Sequence, residues 1–499
     1  MRSMRGMSQL PEATKALGKT YSDAIRILKG RRRTKRPDEK ASASGALNRI
    51  PDAGGQVDVR GTPSIKGMVE WLHKLGHSPT QVDKLNVIHV AGTKGKGSTC
   101  AFVESFLRAY GARTGFPRKT GLYTSPHLIY PEERIRINFQ PLERHLFARY
   151  FFEVWDVLAE EETPPRHLQL YALLATHVFL REGVEAAIFE THHGGEYDAT
   201  NFLNRPVATI VTPLGMDHAS QLGPTLKNIA WHKAGIFKPE VPAFSATQDT
   251  EAATVLESRA AEVKAPLQFI ANDPELPNDA VQLKPDVQRG NASVALACVR
   301  SFTERLSPGE ALLSEDVEKG VAQFTWPGRF QYIARGNSQW FLDGAHNEMS
   351  VVKAAEWFKE AAVAVQKPSS QTLRVLIFGQ NSHERNPSDV LKALALALDD
   401  IHFDHIILTS GNIGKPTEGV IRSPVNSAST EVQSQLLEFA TIWRGFQSDS
   451  GIHLESSIEG AVEITESLLV DSEGLQIFAT GSLALVGGFL HSFQDSEQV

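Results

Sequence analysis

The sequence is short of features that would assign it to a secreted or membrane class. It has two cysteines in 499 residues, Cys100 and Cys298, so no disulfide framework is expected and a reducing compartment fits. Its longest apolar runs, such as ALALAL at 393–398, fall far short of the roughly 18–20 residues that span a bilayer. The N-terminal residues contain no apolar core like that of a signal peptide. We therefore expect a cytoplasmic protein with no membrane span.

The sequence also has no excess of basic residues over acidic ones. The formal net charge is −7, which gives no general attraction to nucleic acid or to a membrane surface. One basic run, KGRRRTKRPDEK at 29–40, could be a nuclear or mitochondrial address, so the mitochondrion stays open as a second location. Interspersed acidic residues and the lack of an amphipathic pattern favour a solvated lead-in segment instead. Any anionic ligand must then be held by local basic groups.

Alternating apolar runs predict an α/β protein with parallel sheets. A short helix is predicted at 21–28, followed by a flexible segment to residue 62 and a helical pattern at 64–76. The segments typical of buried strands are NVIHVAG at 86–92, EAAIFE at 185–190, VATIVT at 207–212, QWFLD at 339–343, LRVLIFG at 373–379, HIILTS at 405–410 and LQIFATGS at 475–482. The segment QFTWPGRFQ at 323–331 interrupts the series, so it is a candidate linker between two α/β domains.

A glycine- and lysine-rich turn, GTKGKGST at 92–99, follows the first predicted strand. The helical pattern after it is expected to end at Gly111. Successive backbone N–H groups at the start of a helix form a cradle for phosphate, and Lys96 could reach phosphate oxygens there. The alternative is a surface turn whose lysines serve solubility. The order strand, turn and helix favours a phosphate loop.

Two further candidates stand just after predicted strands, where ligands bind in open α/β sheets. Glu190 ends one strand, and His218 follows another within VTPLGMDHASQLG. Either could be a Mg²⁺ ligand, because this ion takes few protein ligands beside phosphate oxygens and water. The alternatives are a solvated strand end for Glu190 and a core or helix-capping histidine for His218.

Several motifs occur in one order along the chain and carry a family resemblance. They are GTKGKGST, LYTSPHL, ERIRIN, GGEYDATN, LGMDH, IAWHKAGIFK, WPGRFQ, LDGAHN and ATGSLALVGG. Together they resemble the folylpolyglutamate synthases of the ATP-dependent Mur ligase superfamily, over about residues 64–492. The strict pattern G-x-x-x-x-G-K-[ST] fails here because Gly97 stands at its hydroxyl position. The superfamily loop G-T-x-G-K-[GT]-[ST] matches.

This resemblance implies three segments and a set of ligands. Residues 1–63 would be a flexible basic segment with a short helix, 64–325 a parallel-sheet P-loop ATPase domain, and 326–499 a smaller Rossmann-like α/β domain that serves glutamate ligation. ATP and Mg²⁺ would be required, with room for a monovalent cation such as K⁺. The partners would be folate, L-glutamate and ATP, and the chain would be a monomer.

The resemblance also assigns roles residue by residue. The implied ATP-binding residues are Gly92, Thr93, Gly95, Lys96, Gly97, Ser98, Thr99, Asn291, Arg329 and Asp343. The implied metal ligands are Ser98, Glu190, His218 and a carbamylated Lys233, and the implied catalytic residues are Lys96, Lys233 and His346. Ser125, Pro126, His127 and Ser482 would border the folate and glutamate sites. Without the resemblance, Lys233 would be a solvated helix-end lysine, Arg329 an interdomain salt bridge, and Asp343 and Ser482 turn caps.

The chain departs from the family pattern at three places. ETHHGG replaces a turn of the form E-V-G-x-G-G, so His192 and His193 either point outward or reshape the site, and a new metal site is a further alternative. Pro131 and Glu132 stand where basic or small residues are usual, and the acid would oppose a polyanionic folate tail. Gln288 lacks the histidine that usually precedes it. These changes leave two alternatives to a folate ligase, a paralogue acting on another carboxylic acid and a catalytically silent binding protein.

Overall fold

The structure is a computed structural model that describes residues 19–32, 63–365, 372–380, 386–412 and 430–496. The predicted N-terminal helix is confirmed as α1 (Tyr21–Gly30), with the side chain of Thr20 capping its first turn. Most of the segment predicted to be flexible, residues 33–62, lies outside the described residues. Within the described ranges, no helix is both long enough and apolar enough to cross a bilayer.

Eight strands of the described chain form the first sheet. They are β1 (Ile88–Ala91), β2 (Thr120–Tyr123), β3 (Ile135–Ile137), β4 (Gln140–Pro141), β5 (Ala186–Glu190), β6 (Ala208–Val211), β7 (Ala243–Ala246) and β8 (Leu267–Ile270). Their order is β4-β3-β2-β5-β1-β6-β7-β8. The expected parallel pairing holds from β2 to β8, whereas β3 and β4 add an antiparallel edge. The central strand β1 is buried throughout, as its continuous apolar sequence predicts.

Helices cover both faces of this sheet. They are α2 (Met68–Lys74), α3 (Pro79–Asp83), α4 (Lys96–Thr114), α5 (Arg144–Leu158), α6 (His167–Glu182), α7 (Ala219–Leu222), α8 (Leu226–Ala234), α9 (Thr250–Val263), α10 (Asp286–Leu306) and α11 (Ser314–Ala322). One apolar cluster joins α4, α10 and α11 to the sheet, and another joins α1, α2, α5 and α6. The helix predicted at 64–76 is shorter than expected, because Gly67 takes a left-handed conformation before α2.

Six strands of the described chain form the second sheet. They are β9 (Gln331–Arg335), β10 (Ser338–Leu342), β11 (Thr372–Gly379), β12 (His405–Asn412), β13 (Gly451–Ser457) and β14 (Gly474–Thr480), in the order β13-β12-β11-β14-β10-β9. Only β9 pairs antiparallel here. The accompanying helices are α12 (Glu348–Ala364), α13 (Pro387–Ala397), α14 (Thr430–Arg444), α15 (Ile458–Val470) and α16 (Leu483–Ser496). The proposed domain boundary at 325/326 falls between α11 and β9.

The register of the first sheet brings three loops together. Val90 of β1 is level with Glu190 of β5, and Ala91 is level with Val211 of β6. The carboxyl ends of these strands therefore meet at one edge, where ligands bind in open α/β sheets. The glycine-rich turn, the ETHHGG turn and the loop leading to His218 all start from this edge.

The helix after the glycine-rich turn continues past Gly111, where the sequence predicted its end. α4 ends at Thr114, and the left-handed Gly115 follows it. Gly111 is a packing position, since a Cβ there would lie 2.1 Å from the carbonyl oxygen of Pro117.

We expect Gly111→Ala to destabilise the protein, because the added methyl group forces the backbone of α4 away from Pro117. Overpacking of this kind costs about 1–3 kcal/mol, and each kcal/mol lowers the unfolding midpoint of a unit of this size by about 2–4 °C. Scanning calorimetry of wild type and variant measures the shift. Gly30→Ala is the matched control, because a Cβ at Gly30 meets nothing within 4 Å. Equal midpoints for both variants would contradict the packing role.

Candidate active site

The glycine-rich turn lies between β1 and α4, as the sequence predicted. Gly92 and Gly95 both have positive φ angles, of 146° and 78°. A Cβ at Gly92 would lie 1.8 Å from Oγ1 of Thr212, and one at Gly95 would lie 2.2 Å from Oδ1 of Asn291. Both positions therefore require glycine for space as well as for backbone angle. The turn aims the N-terminus of α4, a favourable place for phosphate, into a cavity of about 1040 Å³.

Lys96 and Glu190 face each other at the head of this helix. The Lys96 Nζ and Glu190 Oε1 atoms are 3.9 Å apart, and the N–H of Ser125 donates to Glu190 Oε2 at 3.0 Å. Glu190 is 4% exposed, so the alternative of a solvated strand end is wrong. Burial raises the pKa of this carboxyl group, and Lys96 lowers it in opposition.

The donors expected to hold Mg²⁺ approach the same cavity. Ser98 lies in the first turn of α4 and is 6% exposed, and His218 has a left-handed backbone at the start of α7. No group of three or more His, Cys, Asp or Glu side chains suited to a metal ion occurs in the described part of the chain. Carboxylate and hydroxyl oxygens beside a phosphate cradle nevertheless fit Mg²⁺, which takes one or two protein ligands and completes its shell from phosphate and water.

Lys233 is buried directly behind the glycine-rich turn. It lies on α8 with 3% of its surface exposed, and its Nζ donates to the carbonyl oxygen of Gly92 at 2.7 Å. Burial lowers the pKa of its amine well below the ordinary value, and the nearby charge of Lys96 adds to this. The solvated lysine that the residues alone suggested is therefore wrong. The amine of Lys233 is held against the backbone of the glycine-rich turn.

The ETHHGG turn forms part of the wall of the cavity through His192 and His193. His192 is buried and its Nε2 lies 2.6 Å from the hydroxyl oxygen of Tyr123. The backbone N–H groups of His192 and His193 donate to Asp198 Oδ2 at 3.0 and 2.8 Å. His193 lines the cavity, with its ring centroid 4.5 Å from that of His218. The outward orientation considered from the sequence is therefore wrong for His192.

Sequence reasoning missed Asp198 and Tyr123 as supports of this turn. Asp198 stands inside the quoted motif GGEYDATN but received no role. Its Oδ1 also accepts from the N–H and the hydroxyl of Thr200, at 3.0 and 2.8 Å. An aspartate two residues before a threonine is a signal for this kind of turn, and it could have identified Asp198.

Asp343, which follows β10, is a buried acid, and its charge interacts with that of Arg329. Asp343 is 3% exposed, and its two oxygens accept from the N–H groups of Phe330 and Ala345 at 2.9 and 2.8 Å. Burial raises the pKa of Asp343, and the guanidinium of Arg329 opposes this shift. Asp343 thus holds two backbone segments that line the cavity, at Phe330 and at Ala345.

Three other predicted residues have local hydrogen bonds. Asn291 on α10 accepts from the Thr99 hydroxyl at 3.4 Å and donates to Gln288 Oε1 at 2.9 Å. Ser482 accepts from the N–H of Leu485 at 3.1 Å, which caps α16. The ring Nδ1 of His346 lies 3.1 Å from the carbonyl oxygen of Gly344. Asn291 is thereby held against the glycine-rich turn.

The concern about negative charge beside the acyl substrate was wrong for Glu132. This residue is 6% exposed and its Oε1 accepts from Arg144 Nε at 3.0 Å, on the side away from the cavity. His127, Glu133 and Arg134 line the cavity, with Arg134 Nε donating to His127 Nδ1 at 2.9 Å. The loop therefore presents a guanidinium and a carboxylate to the cavity, and that carboxylate belongs to Glu133 rather than Glu132.

One cavity collects most of the predicted site. Its lining includes Thr93, Gly95, Lys96, Gly97, Ser98, Ser125, Pro126, His127, Glu190, His218, Asn291, Arg329, Asp343, His346 and Ser482. Gly92, Thr99 and Lys233 lie behind this surface, joined to it by the contacts described above. Trp326 and Arg136 also line the cavity, and neither was assigned a role from the sequence.

Comparison with known proteins identifies close relatives in fungi. No family model matches the chain. The folylpolyglutamate synthase of Neurospora crassa is 38% identical to it, with 95% of this chain and 91% of the relative covered. The folylpolyglutamate synthase of Candida albicans is 35% identical, with coverage of 95% and 96%.

Solved structures share the architecture at lower identity. The apo form of L. casei FPGS has a TM-score of 0.66 and 20% identity, covering 95% of this chain and 100% of that chain. E. coli FolC in complex with DHPP and ADP has a TM-score of 0.64 and 24% identity, covering 89% and 95%. These likenesses establish the fold, and the extended identity to the curated relatives establishes that this chain belongs to the folylpolyglutamate synthase family.

Proposed function

We propose that this protein is an ATP-dependent ligase that joins the amine of L-glutamate to the γ-carboxylate of tetrahydrofolate, giving folylpolyglutamates. The observation that carries the proposal is a single cavity shared by the two sheets. The glycine-rich turn, Lys96 and Glu190 enter it from the first sheet, and Asp343 enters it from the second. The E. coli FolC complex with ADP has the same fold.

The reaction needs two transfers, and the site must neutralise the anions in both. A carboxylate oxygen of the folate first attacks the γ-phosphorus of ATP, giving an acyl phosphate and ADP. The glutamate amine then attacks the acyl carbon, loses a proton, and expels inorganic phosphate. Positioning and charge neutralisation contribute most to such reactions. Lys96 and the N-terminal N–H groups of α4 meet the phosphates in this proposal.

Ser98, Glu190 and His218 would hold Mg²⁺, which supplies charge neutralisation between phosphate oxygens when it is bound. Lys233, carbamylated on its Nζ, would add an anionic ligand from behind the turn, and K⁺ remains a candidate accessory ion. The buried position of Lys233 against Gly92 supports this assignment. The set Gly92, Thr93, Gly95, Gly97 and Thr99 would complete the phosphate cradle.

The remaining residues would serve the adenine, the folate and the amino acid. Asn291 would contact adenine and Arg329 the phosphates. Asp343, His346 and Ser482 would border the nucleotide and glutamate sites. The loop of Ser125, Pro126 and His127 would border the folate. The segment near 323–330 would be the hinge on which two domains, 64–325 and 326–499, close.

We further propose that the protein acts as a monomer in the cytoplasm, with a mitochondrial pool as the second location. The charge of Glu132 was one reason to consider an acid other than folate. Glu132 forms an ion pair with Arg144, so this reason no longer applies. The ETHHGG turn still departs from the family pattern. The dependence of turnover on tetrahydrofolate tests whether the acid substrate is folate despite this change.

ADP release should require ATP, Mg²⁺, glutamate and tetrahydrofolate together, because phosphoryl transfer needs the acyl acceptor and turnover needs the amine. A coupled assay that omits each component in turn measures this. We expect Lys96→Ala to lower kcat by about a hundredfold or more, as the loss of one charge-stabilising donor does. Lys319→Ala, which removes a lysine side chain 63% exposed on α11, is the control and should keep wild-type activity.

The other outcomes of this assay separate the alternatives. If the protein binds ATP and its turnover depends on another carboxylic acid and not on tetrahydrofolate, it is the paralogue. Binding without turnover for any acid tried would identify a silent protein. Full activity in Lys96→Ala would contradict the assigned phosphate contact.

Lys233→Ala should abolish most turnover, and added formate or acetate should restore part of it, because a small carboxylate can enter the space left by the carbamate. Rates with and without the acid measure the rescue. As an independent readout, wild type incubated with 13C-labelled bicarbonate should give a carbamate carbon signal that Lys233→Ala lacks. An unchanged rate in the variant, or identical spectra, would refute the carbamate.

A further inference from the structure

The cavity loop formed by residues 127–134, here called the acyl loop, has acidic and basic side chains that are held by different partners. Arg134 and His127 line the cavity. Glu133 lines the cavity as well, and its carboxylate oxygens accept from the backbone N–H groups of residues 128–130 at 2.8–3.0 Å. Glu132 points to the opposite side, where helices α1 and α5 pack. The guanidinium of Arg134 is therefore the positive charge that the loop offers at the cavity, while the carboxylate of Glu133 is already hydrogen-bonded to the loop's own backbone.

Arg134 itself is suited to an anionic partner. It is 5% exposed, and its Nη1 has no hydrogen-bond partner among the described residues. Its guanidinium carbon lies 4.7 Å from the centroid of the Tyr171 ring, and its Nε is occupied by His127. A buried guanidinium with an unused N–H gains from a carboxylate placed beside it.

Glu132 depends on two partners that come from other parts of the chain. Arg144 on α5 donates to Oε1 at 3.0 Å, and the hydroxyl of Tyr21 on α1 donates to Oε2. A buried carboxylate is stable only when its oxygens are satisfied. The Arg144 guanidinium also lies 5.3 Å from the Tyr21 ring centroid and 4.5 Å from that of Tyr130. Through Glu132, the acyl loop is thus bonded to Tyr21 on α1 and to Arg144 on α5.

The helix that carries Tyr21 is itself firmly placed. The Tyr21 ring packs edge-on against Phe147 with centroids 5.9 Å apart. His167 contacts two carbonyl oxygens near the end of α1, those of Leu28 at 2.8 Å and Arg31 at 3.1 Å. Burial, followed by the bond to Glu132, raises the pKa of the Tyr21 hydroxyl above its ordinary value. The hydroxyl stays protonated and remains a donor.

We propose that Tyr21 and Glu132 are positioning residues for the acyl substrate: they hold the acyl loop from behind so that Arg134 meets a carboxylate of the folate. The assignment rests on the proposed function, because the anion it places is the folate. Neither residue lines the cavity, so both act through the loop rather than on the substrate. The N-terminal helix thereby takes part in substrate selection.

Tyr21→Phe tests this role, because it removes one hydroxyl and keeps the ring under Arg144. We expect the KM for tetrahydrofolate to rise about fivefold to tenfold, as loss of a hydrogen bond to a buried charge allows the loop to shift. The kcat should stay within about twofold and the KM for ATP should not change. Steady-state ADP release with each substrate varied in turn measures all three.

Tyr150→Phe is the matched control. Tyr150 is 5% exposed, belongs to the same apolar cluster, and donates to a carboxylate, Glu182 Oε1, at 2.6 Å. The hydrogen bond and ring contact of Tyr150 are with Glu182 and His177, outside the acyl loop. The KM of the Tyr150→Phe variant for tetrahydrofolate should therefore equal that of wild type. An equal rise in both variants would show general loosening of the core and would overturn the proposal. Thermal midpoints of the two variants show whether they are comparably folded.

A double-variant cycle gives the second readout. If Tyr21 acts through Glu132, the effects of Tyr21→Phe and Glu132→Gln on the folate KM should not add in the double variant. Additive effects would overturn the coupling. Wild-type turnover that does not need tetrahydrofolate contradicts the proposed function and this assignment with it. Folate-dependent turnover with an unchanged folate KM in Tyr21→Phe contradicts the positioning role alone.

Discussion

A buried carboxylate facing a lysine is the interaction on which the site depends. Glu190 is 4% exposed and its Oε1 lies 3.9 Å from Lys96 Nζ, within ion-pair distance. A buried acid costs free energy unless it has partners. The pair therefore requires what surrounds it: the N–H of Ser125, the helix start of α4, and the polar groups that enter from the second sheet.

Close backbone approach is the second condition of the site. Thr212 lies too close to Gly92, and Asn291 too close to Gly95, for either glycine to carry a Cβ. The turn is therefore packed between the end of β6 and helix α10. Gly195 does the same for the ETHHGG turn, where a Cβ would lie 2.6 Å from the carbonyl oxygen of His232. Lys233 then reaches Gly92 from the next residue along α8. Small residues thus let three loops and one helix share one cavity.

Much of the fold could be predicted because it follows from local pattern. The strand ending at Glu190 and the helix starting at Lys96 are in place, since apolar runs and glycine turns are local signals. The end of α4 was misplaced, because Gly111 serves a tertiary contact with Pro117 rather than a helix end. The short antiparallel strands β3 and β9 were missed although each pairs with a strand close by in the chain, because three and five residues carry too little of a periodic pattern.

The sequence by itself determined the family, the phosphate turn and the candidate residues, because their motifs are local and their order is specific. Only the tertiary structure decided how each side chain is used. It buried Lys233 against Gly92, turned His192 toward Tyr123, and directed Glu132 to Arg144 and Tyr21 instead of the cavity. The physical reason is that burial and hydrogen bonding join residues far apart in the chain, such as Lys233 and Gly92 at a separation of 141 positions, and no local pattern records such partners.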